Sequence, residues 1–185
     1  MCHIPQQDPK FFRLLIRIDH ELAESTRLSG CRCGGVLHRA NYPRKPRGCP
    51  VEVRAEFESR FSFCCARCRC RTTSVSVRFL GRRVYLSLVM VLVLVSARHA
   101  GQSCSANRLS KAVNISVRTL QRWRTWWQQA FVSTPFWQIQ GARFMPTVDT
   151  RLLPASLFDR FTGSATEALQ CLLVFLCPIT RREGD

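Results

Sequence analysis

Acidic residues are missing from the middle of this chain. Its 12 acids stop at Glu58 and resume at Asp149. The interval 60–148 holds 14 basic residues and no acid, so it carries +14 of the formal net charge of +16. That imbalance argues against an acidic small-molecule-binding protein and against a neutral secreted enzyme, and it predicts a polyanionic partner. Lysine is scarce as well. Lys10, Lys45 and Lys111 stand against 25 arginines. Arginine bonds phosphate and guanine edges in bidentate fashion, which lysine does not. GC-rich coding accounts for arginine over lysine, but not for the missing acids. Long apolar runs are absent too. Leu86–Val95 and Leu172–Ile179 fall far short of the ~20 residues that span a bilayer and read as buried core segments. The start, Met1 to Pro9, shows no basic stretch followed by an apolar run, so we expect no secretory signal and a cytoplasmic protein.

What is present fits a packed fold. The 185 residues are 46% hydrophobic and 22% charged, enough for one ordinary domain or two small ones. Cysteine is abundant at 11, an odd number. In a reduced setting that count predicts a metal site rather than a disulfide framework.

Residues 10–24 read as an amphipathic helix with Phe11, Leu14, Leu15, Ile18 and Leu22 on one face. Short strands are expected at 36–39, 60–63 and 71–79. Pro43, Pro46 and Pro50 exclude a helix over 41–50, so Tyr42, Arg44, Lys45 and Arg47 belong to an extended basic arm. Residues 82–99 read as a buried helix ended by Gly101. Residues 131–153, with Pro135, Gly141 and Pro146, read as a long connection. Two short helices are expected over 155–162 and 165–177, broken at Thr162-Gly163.

The cysteines cluster. Cys31-Arg-Cys33-Gly34-Gly35 precedes Cys64-Cys65-Ala-Arg-Cys68-Arg-Cys70 by about 30 residues. Two cysteine pairs at tight turns, joined through a hairpin, make the thiolate cage of a closed structural zinc site. Gly34 and Gly35 supply the unhindered backbone that such a turn needs. The first choice of ligands is Cys31, Cys33, Cys65 and Cys68, with Cys64, Cys70 and His38 as alternates. No H-x-E pattern accompanies them, so catalytic zinc is not expected.

A second pattern lies at 108–127. Leu109 and Val113 face a core, and Asn114 suits a left-handed turn. Ile115 fills the corner, and Ser116 is a good N-cap. Leu120, Trp123 and Trp127 recur as the buried face of a second helix, expected over 117–130. Its opposite face carries Arg118, Thr119, Gln121, Arg122 and Thr125, residue types that bond base edges and phosphates in the major groove.

A cysteine-pair ribbon followed by a helix-turn-helix resembles the N-terminal region of bacterial insertion-sequence transposases and their accessory proteins. The resemblance is carried by Leu37-His-Arg-Ala-Asn-Tyr-Pro-Arg-Lys-Pro-Arg-Gly48, by Arg60-Phe-Ser-Phe-Cys-Cys65 and by Ser76-Val-Arg-Phe-Leu-Gly-Arg-Arg-Val-Tyr85, and it covers about residues 28–130. One departure is Thr73-Ser-Val-Ser-Val77, where a proline-rich turn would be expected. The resemblance implies sequence-specific binding of double-stranded DNA, with Cys31, Cys33, Cys65 and Cys68 on zinc and Arg118, Arg122 and their neighbours on DNA. Arg44, Lys45 and Arg47 would add phosphate or minor-groove contacts.

The acids after residue 148 are too few, and 131–185 too short, for a two-metal nuclease sheet. Tyr42 and Tyr85 are the only tyrosines and form no recombinase pattern. We therefore expect no enzyme, but a DNA-binding accessory or regulatory protein of a mobile element. Its further partners would be a transposase or a second copy of itself. The alternatives are a stand-alone transcription regulator, an RNA-binding zinc-ribbon protein and a ribbon that recruits another protein. The expected fold is α+β, mostly α. It has an N-terminal helix (1–28), a small β zinc ribbon (29–80), an apolar helix with the helix-turn-helix (81–132) and a connection with C-terminal helices (133–185).

Overall fold

A computed structural model describes residues 8–46, 49–80 and 115–180, with single positions 91, 95 and 110 between them. The chain is α+β with small antiparallel sheets, and its contacts divide it into two compact units. Residues 7–87 and 173–185 form one, and 1–6 with 88–172 form the other. Among the described residues no helix is long and apolar enough to cross a membrane. Apart from positions 91 and 95, the apolar helix expected at 82–99 lies outside the described residues, as do the first helix and turn of the expected helix-turn-helix (108–114) apart from Ser110, and Arg47 of the basic arm.

The first unit begins with helix α1, Pro9–Ser29. The Asp8 side chain caps it by accepting from the Lys10 N–H at 2.9 Å, and Pro9 occupies the first turn, where its missing N–H costs nothing. Gly30, at φ 71°, ends it. The helix buries Phe11, Phe12, Leu15, Ile16, Asp19 and Ala23. Leu14, Ile18 and Leu22 of the expected face are only half-buried. The buried face is rotated because it admits a carboxylate. Asp19 accepts from Ser76 Oγ at 2.6 Å, from the Val77 N–H at 2.7 Å and from Arg78 Nε at 2.7 Å.

Strands β1 (Leu37–Arg39), β4 (Ser62–Cys65) and β5 (Arg71–Thr73) form a three-stranded antiparallel sheet in the order β1-β4-β5. Strands β2 (Tyr42–Pro43) and β3 (Ser59–Arg60) pair separately. A 3₁₀ helix, Val51–Phe57, lies between them and buries Val53 and Phe57. The strand expected at 71–79 stops at Thr73. Beyond it the Ser76 and Val77 backbone N–H groups turn to Thr180 Oγ1 and Asp19 instead of a ladder partner. The inner face of the sheet packs Leu37, Phe63 and Cys65 on Ala23 of α1.

In the second unit, helix α2 (Val117–Thr125) continues into a π-helical turn, Trp126–Phe131. Residues 131–153 are not a bare connection. Thr134 caps helix α3 (Pro135–Gln140) by accepting from the Trp137 N–H at 3.2 Å, and Pro135 starts that helix rather than preventing it. Trp127, Phe131 and Trp137 form the aromatic centre, with ring centroids 4.8 and 5.0 Å apart along the series. Helix α4 is shorter than expected, Ala155–Phe158, and helix α5, Ala165–Leu176, belongs to this unit through residue 172. Gly163, at φ 108°, separates them. The Ser164 N–H and hydroxyl both donate to Glu167 Oε2, at 2.8 and 2.7 Å, and close the start of α5 as a capping box.

Candidate metal centre and nucleic-acid interface

Four thiols converge at one end of the sheet. The Sγ atoms of Cys31, Cys33, Cys65 and Cys68 all lie within 4.8 Å of one another. Cys31 and Cys68 are 3.5 Å apart, as are Cys33 and Cys65. These spacings exceed the ~2.05 Å of a disulfide and approach the ~3.8 Å edge of a tetrahedron built on Zn–S bonds of about 2.3 Å. The four cysteines can therefore hold a metal ion.

Local backbone makes the two turns. In the first, the Gly34 N–H donates to Cys31 O at 2.8 Å and the Cys31 N–H to Gly35 O at 3.1 Å. Gly34 sits at φ 76°, where a side chain is strained. Gly35 faces the thiols: a Cβ there would lie 2.5 Å from Cys65 Sγ and 3.3 Å from Cys33 Sγ. No side chain fits between the two cysteine pairs at that position. In the second turn, the N–H groups of Arg67 and Cys68 donate to Cys65 Sγ at 3.3 and 3.5 Å. Arg67 Nη1 reaches across to Cys33 O at 3.2 Å and ties one turn to the other.

Those donors set the chemistry of Cys65. The Cys68 N–H, and after it the Arg67 N–H, pull the buried Cys65 thiol down to about 6, against the opposing effect of burial. Cys68 is pushed up instead: a backbone hydrogen bond from Cys70 lowers it, but hydrogen bonding with the Cys33, Cys31 and Cys65 sulfurs together outweighs that. Cys65 is therefore ionised above about pH 6, where an ordinary thiol stays protonated up to about 8.5, and it takes up its proton as pH falls through 6. Protons and a metal compete for the same sulfurs, so bound metal is expected to be lost on acidification. A pH titration in the presence of a metal-binding dye checks this, and metal retention unchanged by acidification would contradict it.

The alternates stay outside the cluster. The Cys64 thiol donates to Arg69 O at 3.5 Å on the other face of β4. Exposed Cys70 lies beyond the second turn, and exposed His38 pairs with Cys64 across the sheet.

In the other unit, helix α2 has the cap its sequence specifies. Ser116 Oγ accepts from the Thr119 N–H at 3.3 Å. The Ile115 N–H donates to Ser110 O at 3.1 Å, and Ile115 is buried. Leu120, Trp123 and Trp127 are buried, while Arg118, Gln121, Arg122 and Thr125 are exposed together. Thr119 departs from the expected face. It is buried, and its hydroxyl pairs with Ser116 Oγ at 2.9 Å and accepts from Arg122 Nη2 at 3.4 Å. It lies 100° from Arg118 on the helical wheel, toward Trp123, and serves the cap instead. Exposed Arg124 is a cation of this helix that the sequence reading passed over.

Arg44 of the basic arm is half-buried with its guanidinium 5.0 Å from the Tyr42 ring, and Lys45 is exposed. The arginines that sequence reasoning missed are buried Arg60 and Arg78. Arg60 donates to Phe79 O and Ser74 O, each at 2.9 Å, so neither arginine is a surface cation. No protein-family model, curated protein or solved structure matches the chain.

Proposed function

We propose that the chain is a zinc-stabilised DNA-binding protein that serves a mobile genetic element as an accessory or regulatory factor. The observation that carries the reading is the exposed face of α2. Arg118, Gln121, Arg122 and Thr125 stand together on a capped helix whose other face is anchored by Leu120, Trp123 and Trp127. No acid lies within twenty residues of them in either direction. Arginine recognises guanine, glutamine recognises adenine and threonine meets a thymine methyl or a phosphate, so this face suits the major groove. Cys31, Cys33, Cys65 and Cys68 would hold the metal. An all-cysteine tetrahedral set without an open position suits structural zinc, which supplies folding energy rather than chemistry.

The test is fluorescence anisotropy on duplexes from the flanks of the gene and on a scrambled duplex, at several salt concentrations. Wild-type protein is expected to prefer the flanks. Arg118→Ala with Arg122→Ala should cost about 1–3 kcal/mol for each bidentate bond to a base edge that it removes, and should abolish the preference. Equal binding to both duplexes by wild type, vanishing at moderate salt, would leave only nonspecific charge attraction.

A further inference from the structure

The sheet carrying the metal site has two unlike faces. Register and alternation place Leu37, Phe63 and Cys65 inward, and the cross-strand row His38, Cys64 and Arg71 outward. On the helix side of the unit several arginines have carboxylate partners. Arg27 and Arg39 both pair with Glu24 at 2.7 Å, and buried Arg78 pairs with Asp19 at 2.7 Å. On the outer side and around the second turn, Arg67, Arg69 and Arg71 are exposed, and no ion pair among the described residues includes them.

No acid lies nearby in the strands or turns either. None occurs over 25–51 or 59–148, which hold all five strands and both cysteine turns. The outer arginines are also held in place. Arg71 Nη1 donates to Ala40 O at 3.1 Å, and its guanidinium lies 5.9 Å from the Tyr42 ring, which Arg44 shares at 5.0 Å. Arg69 sits at φ 60°, a left-handed position in the turn itself, and Arg67 is fixed to Cys33 O. A surface that concentrates cations and presents no acid fits a phosphate backbone.

We infer that this outer face of the ribbon is a second nucleic-acid contact, which grips backbone phosphates through Arg67, Arg69 and Arg71 without reading sequence. The inference rests on the DNA-binding reading of the whole chain and assigns a different task to a different unit. The α2 face chooses the site, and the ribbon adds affinity that depends on salt. The metal is then needed for the second task as well, because it holds the second turn, which carries Arg67 and Arg69.

The test uses the full chain loaded with zinc and the same two duplexes. Each phosphate contact adds about 0.9 to the slope of log affinity against log salt. Arg69→Gln with Arg71→Gln should lower that slope by about 2 on both duplexes, while zinc content and the ratio of affinities stay as in wild type. Arg69→Gln alone spares the Arg71–Ala40 bond and should lower it by about 1, which guards against misfolding of the double variant. A wild-type slope in a zinc-replete variant overturns the inference and leaves the α2 reading standing. Conversely, if Arg118→Ala with Arg122→Ala changes no preference while the ribbon variants lower the slope, the α2 reading falls and the ribbon contact stands. A wild-type chain that binds neither duplex overturns both.

Discussion

Stripping the metal with a chelator, or replacing Cys65 with serine, is expected to melt the three-stranded sheet. The strands are too short to hold themselves. β1 and β5 have three residues each and β4 has four. Their shared apolar cluster is Ala23, Leu37, Phe63 and Cys65, so one of its four buried members is a thiol of the site itself. A sheet of this size is marginal in water without a further staple. Structural zinc binds small ribbons with an apparent ~10–16 kcal/mol, and that energy is folding energy. Cys65 is the residue on which most depends. Its sulfur accepts two backbone N–H bonds, and its own N–H donates to Cys70 O at 3.0 Å. Cys65→Ser should therefore lower bound zinc from about one per chain toward none and remove hydrogen-exchange protection across β1, β4 and β5. Cys64→Ser is the control. That thiol bonds Arg69 O outside the cluster, so the variant should keep its zinc and its protection. Equal zinc loss in both variants would mean that the ligand set is wrong.

The cysteine cluster was legible because its constraint is local and chemical. A cysteine pair needs a turn, a turn needs unhindered backbone, and Gly34 and Gly35 stand where the first turn closes. The adjacent Cys64-Cys65 gave two registers. The sheet decides between them, because Leu37 pairs with Cys65 and both face the core that adjoins the thiols. Helix α2 was legible for a similar reason: Ser116 and the Leu120, Trp123 and Trp127 spacing are features of a single element. Elsewhere the controlling partner is remote. Nothing near Asp19 announces burial, since its donors come from residues 76–78. Alternation at Thr73–Val77 imitates a strand, but the N–H groups there serve that carboxylate and Thr180. At Pro135 the error was in the rule applied. Proline breaks a helix interior but begins a helix well, and Thr134 before it was the cap that told the two apart.

The same remote carboxylate makes the largest stability prediction outside the metal site. Asp19→Ala is expected to destabilise the unit 7–87 by about 3–5 kcal/mol, because it leaves Arg78 buried without its counter-charge. The Arg78 side chain is 0% exposed and that of Asp19 is 2% exposed, so water cannot replace the missing carboxylate. Arg78 is held from every side. Its Nη1 donates to Glu56 O at 2.9 Å, its Nη2 to Ser59 O at 3.3 Å, and its guanidinium lies 4.8 to 5.2 Å from the rings of Phe61, Phe79 and Phe57. It cannot swing out to solvent without opening the 3₁₀ helix and β3. Arg78→Met should be costly too, since it strands Asp19 and two backbone carbonyls. The double variant Asp19→Ala/Arg78→Met removes both charges, so its destabilisation should be well below the sum of the single effects. Urea unfolding followed by circular dichroism measures all three on zinc-loaded protein. Glu24→Gln is the internal comparison. Its bonds to Arg27 and Arg39 are as short, at 2.7 Å, but they lie at the surface, where solvent screens them, and stability should barely change. If Asp19→Ala behaved like Glu24→Gln, the buried pair would not be what fastens α1 to the segment after β5. If the effects of the two single variants simply added, Asp19 and Arg78 would be acting independently, and the short bond between them would carry none of the energy.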